Sequence, residues 1–183
     1  MTASKISDLP AGTSRVITDL VPFTDISVPE TRKITIGDLL AAGCAGVSLN
    51  GGSASQSLTG GSTYDKITQF DTAFSAVYGD WLTSSHADDK ITATDVGVYE
   101  VHFDLSFNGT ASKTYNIAIY WNNVKQAEMP VALDASNTIE RVSLSYPVSV
   151  TTGATDIDLR VNTTTASDVF DLKDGFFWAK GLF

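Results

Sequence analysis

Cysteine occurs once, at Cys44, and histidine twice, at His86 and His102, in 183 residues; lysine and arginine number 12 against 21 aspartates and glutamates. A single thiol excludes an intrachain disulfide framework and a thiolate metal cluster. Two histidines with no motif around either leave no nucleophile, base and acid constellation, so the chain is expected not to be an enzyme and to carry no cofactor and no bound metal. The net charge of -9 argues against nucleic acid and anionic membrane surfaces as partners, because both repel an acidic protein. No apolar run approaches the roughly 20 residues a membrane helix needs, so no membrane insertion is expected. The first residues, Met-Thr-Ala-Ser-Lys-Ile-Ser-Asp-Leu-Pro, form no apolar core of a signal peptide, from which synthesis in a cytosol is expected. The Asn-X-Thr sequons at Asn108 and Asn162 are then chance matches.

What the chain has in abundance is alternation. Tyr99, Val101, Phe103, Leu105 and Phe107 are apolar, with Glu100, His102, Asp104 and Ser106 between them. That period of two is a half-buried β-strand. It returns in Tyr115, Ile117, Ile119 and Trp121, in Val142, Leu144, Tyr146, Val148 and Val150, and in Ile157, Leu159 and Val161. Turn residues at Asn108-Gly109, Asn122-Asn123, Thr152-Gly153 and Asp174-Gly175 punctuate these runs, and about eight strands fit between residues 63 and 183. The fold class expected is all-β, a two-sheet sandwich.

The last segment departs from one-sided alternation. Phe176, Trp178 and Leu182 point one way, and Phe177, Ala179 and Phe183 the other. A sandwich strand has one face on the core and one in water, so a strand apolar on both sides would leave rings wet, each forgoing roughly 1.5 to 3 kcal/mol of burial. Residues 176 to 183 are therefore expected to lie between the protomer's own core and a symmetry mate. The alternative is a C-terminal tail folded wholly into a monomer's core.

Composition divides the chain in three. Residues 1–42 contain Pro10, Pro22 and Pro29, two strand-like runs at 15–23 and 32–36, and a short helix expected at 37–42, with Asp38 in its first turn and Gly43 ending it. This module is too small to be stable alone and should dock on something larger. Residues 43–62, rich in Gly, Ser and Ala, are expected to be a linker, either flexible or laid down as an extended arm. Residues 63–183 hold the strand signals; Phe70, Phe74, Val77, Tyr78 and Trp81 among them have helical spacing, but Gly79-Asp80 favours strand and loop.

Two resemblances bear on these zones. Asp89-Lys90-Ile91-Thr92-Ala93, then Gly97-Val98-Tyr99-Glu100-Val101 with Phe103, Leu105 and Phe107, the hairpin Ile117 to Val124, the pair of runs Val142 to Val150 and Asp156 to Val161, and the closing Gly175-Phe176-Phe177-Trp178-Ala179-Lys180-Gly181-Leu182-Phe183 resemble the strands of C1q/TNF-like jelly rolls. Asn123 stands where that family's turn carries Gly. The resemblance implies a homotrimer about a threefold axis. The interface residues expected are Phe176, Phe177, Trp178, Leu182 and Phe183, with Tyr99 and His102. The N-terminal runs Ile6-Ser7-Asp8-Leu9-Pro10, Asp19-Leu20-Val21-Pro22 and Arg32 to Leu40 resemble the leaders of tailed-bacteriophage fibre, tailspike and head-decoration proteins. That implies anchoring to a capsid or tail protein through Ile6, Leu9, Leu20, Val21, Ile34, Leu39 and Leu40, and a place in the virion after synthesis in the host cytoplasm. Together they give a structural phage protein bearing a trimeric knob; a receptor-binding fibre that recognises a host surface glycan and an extracellular C1q/TNF-like ligand stand as alternatives.

Three side-chain groups could carry binding. Glu100, His102 and Asp104 share a strand face, and a threefold axis would gather their copies around a cation or leave them a solvated polar strip. Asp88, Asp89 and Asp95 are acidic without calcium-loop spacing. Tyr78, Trp81, Tyr120 and Trp121 offer flat rings to a sugar, though core packing or trimer contact is the commoner use of such rings.

Overall fold

An alternating strand must find partners for its backbone N–H and C=O groups, and this chain supplies them in antiparallel pairs. The computed structural model describes residues 20–24, 31–35, 43–49, 54–75, 81–134 and 138–182, and among them every regular element is a strand. The chain divides into two compact units, Met1–Ala41 and Ala42–Phe183.

In the first unit β1 (Leu20–Thr24) pairs with β2 (Thr31–Thr35), Val21 opposite Ile34 and Phe23 opposite Arg32. Both strands fall on the runs read as strand-like in the sequence. The helix expected at 37–42 lies outside the described residues.

The second unit contains β3 (Cys44–Leu49), β4 (Ala54–Ser57), β5 (Asp65–Lys66), β6 (Thr72–Ser75), β7 (Leu82–Ser85), β8 (Lys90–Ala93), β9 (Gly97–Gly109), β10 (Lys113–Trp121), β11 (Val124–Leu133), β12 (Glu140–Val150), β13 (Thr155–Asn162) and β14 (Val169–Leu182). One sheet runs β11-β10-β13-β8-β7, with β5 also on β13; the other runs β12-β9-β14-β3-β6, with β4 also on β14. Among the described residues the region from residue 63 holds ten strands where about eight were expected, the surplus being pieces of two to four residues. Asn122 and Asn123 both adopt positive φ, 47° and 63°, as a two-residue hairpin turn with the right twist requires, and asparagine tolerates that region without glycine.

The inner faces are those the period of two marked. Tyr99, Val101, Phe103, Leu105 and Phe107 of β9, Tyr115, Ile117 and Ile119 of β10, and Ile157, Leu159 and Val161 of β13 are buried. Phe107 packs on Phe170 and Tyr115 at ring separations of 4.9 and 5.4 Å. The Tyr115 hydroxyl donates to the Val169 carbonyl at 2.6 Å and accepts from the Thr110 N–H, so its polar end is satisfied inside the core.

The linker expectation for residues 43–62 is corrected. Cys44–Leu49 is a sheet strand, paired with β14 on one side and β6 on the other, and Ala45, Val47 and Leu49 belong to the core. Small residues here signal close approach instead of flexibility: a Cβ on Gly46 would lie 2.4 Å from the Phe74 ring and 2.6 Å from the Phe177 carbonyl oxygen. Gly60, at φ +72°, fits against the Thr165 backbone, and backbone bonds from Leu58 to Asp168 and from Ser167 to Leu58 tie that segment to the loop before β14.

Candidate interface on the outer face of one sheet

Strand β14 is central in its sheet, and its side chains alternate between core and exterior on either side of a register shift between Leu172 and Asp174, which moves the buried set from Phe170 and Leu172 to Phe177 and Ala179. Phe177 and Ala179 point inward and are fully buried; Phe176 and Leu182 point outward and stay 36% and 46% exposed, with Trp178 half-buried between them. The two-sided apolar character expected of residues 176 to 183 is present over its described part, and among the described residues one side of it stays partly exposed.

Register shows what surrounds these rings. Trp178 lies opposite His102 of β9 and opposite Gly46 of β3; His102 lies opposite Ser145 of β12, and Gly46 opposite Phe74 of β6. One row therefore crosses the whole sheet. The His102 imidazole sits 5.3 Å from the Trp178 ring and 5.7 Å from the Phe176 ring, with Nδ1 2.7 Å from Ser145 Oγ. Phe74, 41% exposed, lies over the bare backbone of Gly46. Val98, 42% exposed, sits opposite Leu182. The result is an apolar and aromatic patch made by four strands.

Charge rims it. Arg141 Nε and Nη2 grip the two Asp104 oxygens at 2.8 Å each, and this fork holds the Asp104 carboxyl below the usual carboxylate range. Glu100 and Lys180 are directly opposite each other. Cys44, opposite Lys180, has its thiol pushed up by burial, with Lys180 opposing. An apolar centre with a charged margin is the anatomy of a protein interface.

Of the expected interface residues, Phe176, Trp178, Leu182 and His102 lie on this outer face. Tyr99 and Phe177 are fully buried in the protomer's own core, Tyr99 donating its hydroxyl to the Asp95 carbonyl at 2.8 Å. Their inward direction follows from odd-numbered register on β9 and β14, so neither presents a ring outward. Phe183 lies outside the described residues. Phe74 and Val98 were missed; Val98 carries a signal, since it continues the outward set Glu100, His102 and Asp104 by one step. Among the anchoring residues, Leu20 and Val21 are on β1 and Ile34 on β2; Ile6, Leu9, Leu39 and Leu40 lie outside the described residues.

The other groups have local occupations. Asp104 is taken by Arg141, and among the described residues no three His, Cys, Asp or Glu side chains converge on a metal-sized point. Asp88 accepts from Ser85, and buried Asp89 accepts the Phe70 N–H at 3.1 Å. On the opposite sheet Tyr120 is covered by the Arg160 guanidinium 4.3 Å from its ring and by Tyr64 at 5.7 Å, and Arg160 is held by Asp158 and Asn123. Trp121 packs partly against the core and donates its indole N–H to Thr155 at 2.7 Å. Trp81 is half-buried, and Tyr78 lies outside the described residues.

The architecture is an all-β jelly-roll sandwich of C1q/TNF type. Its fold is similar to that of Eiger TNF from S. frugiperda, at 12% identity over 77% of this chain and 92% of that one, with a TM-score of 0.55. It is likewise similar to the globular domain of the zebrafish complement 1qA protein, at 12% identity over 76% of this chain and 97% of that one, with a TM-score of 0.50. At that identity the likeness is one of fold. No protein-family model and no curated protein matches the sequence.

Proposed function

We propose that the chain is a structural protein of a bacteriophage particle: a homotrimeric knob, Ala42–Phe183, joined to a capsid or tail protein through residues 1–41. The observation that carries the trimer is the uncovered patch of Phe74, His102, Phe176 and Trp178 on the outer face of β6, β9 and β14. Its rings gain the burial that the protomer does not supply only when a second surface covers them. The occupant proposed is another copy of this chain, in agreement with the trimer that the C1q/TNF resemblance implies.

Support for the anchor is the separate N-terminal unit. A two-stranded hairpin of five-residue strands is marginal alone in water, and the sequence around it resembles phage leaders. The test is co-sedimentation with purified particles that lack the protein. The complete chain is expected to pellet with them and residues 42–183 to remain in the supernatant; equal binding by both would place attachment in the knob and overturn the anchor.

The adhesive alternative has less to stand on. The Tyr120 ring that would stack on a sugar is already covered by Arg160 and Tyr64.

A further inference from the structure

Resting on that reading of the trimer, we infer that assembly is gated by pH through His102, the trimer holding at neutral pH and loosening under mild acid. The imidazole sits at one side of the patch, between Ser145 and Trp178 in the row Ser145, His102, Trp178, Gly46, Phe74, with aromatic rings at 5.3 and 5.7 Å. Covering this face by a neighbour removes water from the ring. A neutral imidazole tolerates that loss, whereas an imidazolium loses its hydration and needs an anion in exchange.

The one carboxylate that acts on the ring, Asp104, attracts a charge on His102 but gives both its oxygens to another cation. On its own strand Glu100 and Asp104 flank His102 two residues either way. Asp104 is gripped by Arg141 of β12 through two hydrogen bonds, and Glu100 stands opposite Lys180 of β14. Asp174 of β14 lies opposite Ser106, four residues along β9, and acts on Arg141. From β3 the outward groups are Cys44 and Ser48. The carboxylate that acts on the ring is therefore already committed to Arg141 through two hydrogen bonds. The Trp178 face attracts an imidazolium, but a ring face does not replace a lost water shell. Protonation of the ring and its burial by a neighbour therefore compete, once per protomer.

The experiment is sedimentation equilibrium of residues 1–183 between pH 7.5 and 4.0, with circular dichroism confirming that the fold persists. With three histidines required neutral, the trimer dissociation constant should rise as the pH falls, the slope approaching three protons taken up per trimer dissociated. His86→Gln should follow the wild type and His102→Gln should give a flat profile. A constant that does not change or that falls on acidification overturns the inference while leaving the trimer standing. So does a rise confined below pH 5, where carboxylates protonate, or a flat profile in His86→Gln. A chain already monomeric at pH 7.5 overturns the trimer reading and the gate with it.

Discussion

At the scale of single residues, the sandwich depends on positions whose neighbours leave no slack. Gly46→Ala would drive a methyl against the Phe177 carbonyl, which cannot move without breaking the β3–β14 pairing. The expected loss is about 1 to 3 kcal/mol, read as a lower denaturant midpoint with unchanged slope. Asp89 makes a contrasting case. Its backbone sits at φ 48° and its carboxylate accepts the Phe70 N–H, both of which asparagine reproduces. Burial pushes the Asp89 carboxyl up, so the folded state favours the protonated form. The charged form then costs stability once pH rises through the folded value, and the cost disappears below the ordinary aspartate range near pH 3.9. Asp89→Asn is therefore expected to be more stable than the wild type at pH 7, the difference closing on acidification; urea titrations at pH 7 and pH 3.5 measure it.

At the scale of elements, long one-sided strands were legible in the sequence and short or glycine-rich ones were not. β9, β10 and β13 show their period over many residues and bury most of the face it marks, whereas β12 buries Val142, Val148 and Val150 of its marked face and leaves Tyr146 exposed. β3 hides because Cys44-Ala45-Gly46-Val47-Ser48-Leu49 has the composition of a linker; its tertiary place between β14 and β6 overrides weak local preference. Half of the outer-face patch was legible too. Trp178 and Phe176 stood out by their rings, whereas Phe74 needed the β3–β6 pairing to be placed, and Tyr99 and Phe177 needed the register to be assigned inward. The element-level prediction concerns the unit boundary. A chain of residues 42–183 should unfold in one cooperative transition, because its core is complete. A chain of residues 63–183 lacks β3 and β4, which exposes one whole edge of β14, and should show no cooperative thermal transition by circular dichroism. Folding of the shorter chain would return residues 43–62 to the role of linker.

At the scale of the whole molecule, the two sides of β14 separate stability from assembly. Phe177→Ala removes a ring from the core and should cost about 3 to 5 kcal/mol, visible in denaturation at any protein concentration. Trp178→Asp puts a charge on the outer face and should leave the protomer folded while abolishing the oligomer. The most direct measurement is sedimentation velocity of the complete chain at micromolar concentration and neutral pH. The expected result is a folded species of three times the 19.5 kDa chain mass, which Trp178→Asp reduces to one chain. A folded, soluble species of 19.5 kDa from the wild-type chain would contradict it, since the rings of Phe74, Phe176 and Trp178 would then face water with no copy to cover them.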